Sequence, residues 1–385
     1  MNIDNLLRTL CPEGVKRVRL ESLLDYEQPT PYIVKDTQYD NSHSTPVLTA
    51  GQSFILGYTD ETDGVYRASK ENPVIIFDDF TTSSHWVDFD FKVKSSAMKM
   101  LRPKTTDSFR YIYYCIKSIN FIPSEHTRHW ISKYSQFEIP LPPLPVQEAI
   151  VSYLDKLTSL TAELEAELEL QKKRYDFYRN RLLSFAPDST TQFGARHTND
   201  NDYHKGYYPL LVKWAKIKDI AEIGTGSGNR QDAVENGEYP FYVRSKDIFR
   251  NSTYEFDEEA IIIPGEGGIG DIFHYVKGKY ALHQRAYRIH FMTEDICTKY
   301  AYYYFSAFFK DFIMKKAVNA TVTSIRKPMI EDFPIPLPPL SEQERIVGIL
   351  DKYETLVNDT RQGIPALINA VQRKYEYYRE RLLTF

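Results

Sequence analysis

Two glycine-rich stretches, Gly224 to Arg230 (GTGSGNR) and Pro264 to Gly270 (PGEGGIG), are the first places in this sequence where chemistry could sit. Neither ends in the Gly-Lys-Ser/Thr of a phosphate-cradling P-loop, and neither has the strand-turn-helix spacing of a dinucleotide fingerprint. They read as turns, or as loops where a backbone approaches a partner closely. Asn72-Pro73-Val74-Ile75 comes nearest to the Pro-Pro-aromatic stretch of an amino-group methyltransferase; it fails at its third position and reads as the start of a strand. The histidines, among them His85, His126, His129, His274, His283 and His290, form no helical pair with an acid that would hold zinc. The acid pairs Asp78-Asp79 and Glu258-Glu259 read as solvated turns, not as a general acid and base. No serine or cysteine occupies a nucleophile elbow. Cys11, Cys115 and Cys297 are too far apart for a disulfide framework or a metal-ligand spacing. The expectation is a chain with no catalytic residue, no metal and no cofactor of its own.

The elements that would position any site are clearer, because the chain repeats itself. Residues 139–160 (IPLPPLPVQEAIVSYLDKLTSL) and 335–356 (IPLPPLSEQERIVGILDKYETL) agree at 14 of 22 positions at a constant offset of 196. Further on, YDFYRNRLLSF (175–185) matches YEYYRERLLTF (375–385) at an offset of 200, so the second copy has gained four residues between the blocks. A weaker echo opens each copy, with Val15, Leu20 and Leu23 matching Val212, Ile217 and Ile220. After each PLPPL, which enforces an extended approach, apolar residues recur at alternating steps of four and three. The first copy runs through Ile150, Leu154, Leu157, Leu164, Leu168 and Leu182, the second through Ile346, Leu350, Val357, Ile364 and Leu367, with Leu382 near its end. That is the seam of a coiled coil, and a helix of some 40 residues reaches about 60 Å. Such stripes need a partner, and the economical one is each other, antiparallel. Gly363 and Pro365 predict a kink or short break near Ile364, and the four extra residues predict a stutter.

The expected fold class is α+β: two mixed α/β globular domains joined by two long antiparallel helices as a coiled coil, with a pseudo-two-fold internal repeat. The segments are 1–137 (first globular domain), 138–185 (central helix region), 186–207 (a polar, turn-rich linker), 208–333 (second globular domain) and 334–385 (C-terminal helix region). Strands are expected at Pro73–Phe77, Ala260–Ile263 and Asp271–Val276, and helices at Asp107–Asn120 and Cys297–Val318.

At 385 residues, 42% hydrophobic and 26% charged, the chain is long enough for several cores and is not disordered. It has no apolar run that could span a bilayer and no secretory leader, so the cytoplasm is the expected compartment. A net charge of −4 argues against a uniformly basic nucleic-acid binder. Yet basic and acidic residues balance in both globular stretches, 15 against 15 in 15–137 and 17 against 17 in 208–333. Any basic surface must therefore be local.

The paired IPLPPL-x2-QE-x-IV-x2-LDK segments, each opening a long helix that ends in YRxRLL, resemble the specificity (S) subunits of type I restriction–modification systems. The resemblance covers essentially the whole chain. It implies two target recognition domains, each reading one half of a split double-stranded DNA site, and two helices that set the spacing of the halves. It also implies docking of two methyltransferase (M) subunits, with restriction/translocase (R) subunits joining later. S-adenosylmethionine, ATP and Mg would then belong to the partner subunits only. The coiled-coil positions Leu154, Leu157, Leu164, Leu168, Leu182, Leu350, Val357, Leu367 and Leu382 would carry the helix pairing and the partner docking. Two readers on one face of a duplex should lie about a whole helical turn or a multiple apart, roughly 34–36 Å.

Base reading needs Arg, Lys, Asn, Gln, Ser or Thr on exposed loops, with glycine where backbone meets phosphate. In the first domain the candidates are Gly51, Gln52 and Ser53; Thr82, Ser83, Ser84 and His85; and Arg128, His129 and Lys133. In the second they are Gly226, Ser227, Asn229 and Arg230; Arg244, Ser245 and Lys246; His283, Gln284 and Arg285; and Thr323, Ser324, Arg326 and Lys327. The competing reading makes these solvated turns and the chain a coiled-coil assembly adaptor that organises partners without reading DNA.

Overall fold

The computed structural model describes residues 3–49, 53–123, 127–187, 211–316 and 324–384. The chain divides into two compact units, Met1–Glu165 with Leu367–Phe385, and Ala166–Ala366. Each gathers one globular stretch with parts of both helical tails.

In the first unit, the unbroken apolar run Val74–Ile75–Ile76–Phe77 dictates a strand buried on both faces. It lies third in an antiparallel sheet ordered Leu24–Glu27, Met98–Pro103, Val74–Asp78, Ser84–Val87. Side chains alternate across a strand, so Ile75 and Phe77 join Leu101 in a core with the helix Phe109–Ser118. Val74 and Ile76 join Met98 and Met100 in a second core, which includes Leu48 and Val93 of the three-stranded sheet Ile55–Thr59, Thr45–Leu48, Lys92–Val93. The second unit repeats this logic. Ile261 and Ile263 face a core with the aromatic helix Thr298–Lys316, while Ala260 and Ile262 face the other side of a six-stranded sheet. Strand Asp271–Val276 is corrected here: the strand begins at His274, because Gly267, Gly268 and Gly270 take positive φ and Asp271 closes a turn on Gly268.

The repeated motif sequences have repeated structural work. Gln147 and Gln343, the glutamines of the two QE motifs, are both fully buried. Gln147 Oε1 accepts from Ser108 N at 2.8 Å, and its Nε2 donates to Pro142 O and Asp107 Oδ1, each at 2.8 Å. Gln343 Oε1 accepts from Cys297 N at 2.8 Å, and its Nε2 donates to Pro338 O and Asp295 O, each at 2.8 Å. Each glutamine thereby ties the proline segment to the N-terminus of a helix of the globular stretch. Tyr111 and Tyr300 donate to Pro140 O and Pro336 O. Tyr114 and Tyr303 donate to Asp155 and Asp351, the aspartates of the two LDK motifs, which also pair with Arg110 and Lys299. Below this junction the proline segments add strands, Glu138–Pro140 against Arg17–Arg19 and Pro334–Leu337 against Leu211–Lys216.

The helices pair antiparallel within each unit. In the first, the early part of the long helix Leu144–Leu182 places Leu154 in one core with Leu382 and Leu383, and Tyr153 meets the Tyr378 ring at 4.8 Å. In the second, Leu182 and Leu183 pack with Ile346 and Leu350 of helix Leu340–Asn358, and Tyr175 and Tyr178 flank Tyr353. Leu157 and Val357 are buried and Leu164 and Leu168 half-buried. Leu367 is corrected: it is 55% exposed, and Ile368 takes the buried position. The reason is the break, which spans Asp359–Gly363 before helix Ile364–Leu383 begins. The chain resets its phase at the break, so the buried series resumes at Ile364, Ile368 and Leu382, with the half-buried Tyr375 between the last two and no stutter further on. Pro365 sits in the first turn of the new helix, where its missing donor costs nothing.

Of the expected linker 186–207, Ala186 and Pro187 form a short parallel pairing with Leu211 and Val212, and the remainder lies outside the described residues.

Candidate nucleic-acid interface

In the first unit, three of the predicted segments converge. The turn after strand Val74–Asp78 is built on the Asp78 carboxylate, which accepts from Phe80 N at 2.8 Å, Thr81 N at 3.2 Å and Thr81 Oγ1 at 2.7 Å. Thr82 within it has φ of +61°, strain of about 1–3 kcal/mol for a β-branched residue. Asp79 then reaches to the next segment: its Oδ1 accepts from Trp130 N at 2.9 Å and its carbonyl from His129 N at 2.8 Å. Its Oδ2 lies 3.3 Å from Lys99 Nζ, and both side chains are buried. The acid pair is therefore not a solvated turn; an ion pair and backbone donors hold Asp79 inside. Arg128 and Lys133 project from the segment so anchored and are exposed. Ser53 is exposed beside Phe54, whose ring stacks on His85 at 4.0 Å.

Two candidates here do not face outward. His129 is 1% exposed with its ring edge-on to Phe121, and Ser84 is buried in the strand facing Phe77. Gly51 and Gln52 lie outside the described residues.

In the second unit the glycine loop, the arginine turn and the 283–285 turn meet. Gly228 N donates to Leu282 O at 3.0 Å and Gln284 N to Gly228 O at 2.9 Å, while Gln284 Nε2 reaches Asn229 Oδ1. A Cβ on Gly226 would fall 2.0 Å from Leu282 O, so only glycine fits this approach. Ser227 is exposed, its N bound to Glu255. Arg230 stacks its guanidinium over Phe249 at 5.2 Å. Arg230, Arg244, Ser245, Glu266 and His283 line a pocket of about 220 Å³. Arg244 donates to Glu266 Oε2 at 2.8 Å and Arg285 to the same oxygen at 3.0 Å. The two guanidinium groups hold the Glu266 carboxyl below its usual range. His283 is buried, accepts Arg285 N on Nδ1 at 2.9 Å and shapes the turn from inside; it does not project. Ser324 pairs with Glu266 across an isolated bridge. Arg326 and Lys327 are exposed at the start of the short helix Lys327–Glu331. Lys246 faces elsewhere, toward a larger pocket shared with Tyr175, Arg179 and His274. Thr323 lies outside the described residues.

Sequence reasoning gave Glu266 no role and read Asp79 as solvated. Glu258 is the third acid of this kind, pairing with Arg288 inside the sheet instead of in solvent. Among the described residues, no group of three His, Cys, Asp or Glu side chains could hold a metal ion. Among them, too, no helix is long and apolar enough to cross a membrane.

Burial lowers the basicity of His85, His274 and His283; Lys117 beside His85, and Arg244 and Arg285 near His283, add repulsion. A histidine whose folded pKa is lowered binds protons less readily than in the unfolded chain. Stability is thus intact above the unfolded pKa near 6.5 and is lost as the pH falls through that value toward the folded ones. The urea midpoint should drop between about pH 7 and pH 5.5; a flat midpoint there would contradict it. Glu266, with its lowered pKa, titrates below this window.

Two polar surfaces, each hung on a helical tail by the same tyrosine–glutamine–aspartate junction, define a duplicated recognition protein. A family model described as the type I restriction modification DNA specificity domain matches it twice, over residues 12–171 and 211–370. The specificity subunit of the Escherichia coli type I restriction enzyme EcoR124I/EcoR124II is 38% identical over 405 residues, spanning 96% of this chain and 94% of that one. The chain belongs to the type I restriction–modification DNA specificity family. Its fold is similar to the crystal structure of the S subunit from M. genitalium, with a TM-score of 0.63 and 13% identity over 97% of this chain and 96% of that one. A chain from a type I restriction–modification structure concerned with complex assembly and conformational transition matches at a TM-score of 0.57, with 17% identity over 96% and 98%.

Proposed function

We propose that this chain is the DNA specificity subunit of a type I restriction–modification complex. Each recognition domain reads one half of a bipartite duplex target, and the helices set the spacing and dock two methyltransferase subunits, with restriction/translocase subunits joining. The chain itself performs no catalysis and needs no cofactor; S-adenosylmethionine, ATP and Mg act on the partners, in the cytoplasm. The observation that carries this reading is the duplicated junction: one framework presents two different sets of polar loops. A framework built twice to hold two unlike surfaces suits a target with two unlike halves.

The test is to co-express the chain with its methyltransferase partner and map adenine methylation across a genome. A bipartite motif with a fixed spacer is the expected result. Arg128→Ala and Arg285→Ala should each weaken binding by about 1–3 kcal/mol, if bidentate to guanine, and each should relax a different half of the motif. Assembly without sequence-dependent methylation would favour the adaptor reading, and methylation by the chain alone would sink the non-catalytic one. With each domain balanced in charge, the isolated chain should bind DNA weakly and lose that binding steeply with salt.

A further inference from the structure

The second recognition surface holds an acid where DNA would bring negative charge. Glu266 sits on the loop Pro264–Gly270, and that loop is fixed at several points. Gly265 N donates to Arg285 O at 2.8 Å, Ile325 N donates to Gly265 O at 2.7 Å, and Glu266 itself pairs with Ser324. Its backbone is therefore held in place, and the two arginines meet its carboxylate. Both contact Oε2, Arg244 at 2.8 Å and Arg285 at 3.0 Å. Both guanidinium groups stay about half exposed. Arg285 Nη1 also reaches Oε1 at 3.4 Å, but each arginine meets Glu266 through Nη1 alone; a guanidinium carries five donors, so the donors on Nε and Nη2 are left for a second acceptor.

We propose that Glu266 is a specificity-determining positioning residue of the second recognition domain, holding Arg244 and Arg285 as one preorganised fork aimed at neutral base edges. The inference rests on the DNA-reading function proposed above. Two effects follow from the geometry. Long, flexible side chains lose rotamer freedom on binding, and here much of that loss is already taken in the free protein. The triad also carries a net charge of +1 where two free arginines would carry +2, so its attraction to any phosphate is weakened. Hydrogen-bond acceptors on a base edge, guanine O6 and N7 above all, are less affected, because they reward fork geometry as well as charge. The acid thus trades non-specific affinity for discrimination.

The experiment uses the complex with methyltransferase subunits and the motif found by methylation mapping. Binding is measured against salt for three duplexes: the full target, one with the first half-site scrambled, and one with the second scrambled. For Glu266→Gln, discrimination at the second half-site should fall at least tenfold while discrimination at the first is unchanged. Binding to the duplex with the second half scrambled should rise at low salt. The log–log salt slope should steepen by roughly 1–2, as one or two guanidinium groups turn to phosphates. Glu266→Asp, which keeps the charge but withdraws it by one methylene, should lose discrimination without steepening the slope. Unchanged discrimination in Glu266→Gln, or equal losses at both half-sites, would overturn the assignment. If the wild-type complex discriminates at neither half-site, the DNA-reading function falls and this inference with it.

Discussion

Asp79→Ala should destabilise the first unit by about 3–5 kcal/mol, the range for breaking a buried ion pair by removing one partner. The substitution strands the Lys99 ammonium in the core and removes the acceptor of Trp130 N. Lys99 has no room to reach water, since its side chain is 1% exposed. The loss should be visible as a lower urea midpoint. It should also carry a functional signature, because the Asp79 carboxylate anchors the segment from which Arg128 and Lys133 project. At a temperature where the variant remains folded, discrimination at the first half-site should fall and that at the second should persist. Replacing both members, Asp79→Leu with Lys99→Met, should recover much of the stability without restoring the anchor to Trp130 N. An unfolding free energy within about 1 kcal/mol of wild type for Asp79→Ala would show that the pair is not buried in solution.

Gln343→Ala is expected to remove about 3 kcal/mol or more from the second unit. It leaves Cys297 N, Asp295 O and Pro338 O without the partner each has in the wild type. Unsatisfied buried groups cost about 1–3 kcal/mol each, offset in part by water entering the space left behind. Gln343→Glu is the sharper test, because it keeps size and acceptor but gives up the donors, setting a charge against two carbonyl oxygens. It should be at least as damaging at neutral pH and should improve as the pH falls and the carboxyl protonates. The matching alanine change at Gln147 should affect the first unit by a similar amount, and Gln147→Glu should carry a larger charge penalty, because it sets its carboxylate against that of Asp107. Hydrogen exchange of the Ser108 and Cys297 amides would report each junction separately.

Much of the frame was legible in the residues. Fourteen matched positions cannot arise by accident, and alternation of four and three is a property of one helix, readable without knowing its partner. The junction was only half legible. Gln147, Asp155 and their counterparts stood out within the repeat, but their partners lie some 40 residues away on a helix whose sequence diverges. Aligning Arg110-Tyr111-x-Tyr113-Tyr114 with Lys299-Tyr300-x-Tyr302-Tyr303 exposes the match, but nothing in the spacing of the tyrosines says that they bond the proline segment and the LDK aspartate. The candidate surfaces were legible as loops and much less as side chains. Whether Asp79 is solvated depends on Lys99 and on the backbone at 129–130, and local sequence contains no trace of that pairing. Likewise Glu266 looked like one more turn residue until the fold set it between Arg244 and Arg285. Leu367 failed for a different reason: periodicity assumes an unbroken helix, and the break shifts the count by one.

That break has a consequence for how this protein tolerates change in length. Within the continuous helix Leu144–Leu182, each inserted or deleted residue rotates everything beyond it by about 100°, turning the apolar stripe away from its partner. At Asp359–Gly363 the chain is already out of helix. The loop is tied by Asp359, which accepts from Arg361 N and Gln362 Nε2, and by Gly363, where a Cβ would press within 2.4 Å of Thr355 O. Residues added between those ties would enlarge a loop and leave the phase on either side intact. The longer second copy thus holds an expansion joint that the first copy lacks, and indels should accumulate there in relatives while the first helix changes only in steps that preserve its stripe.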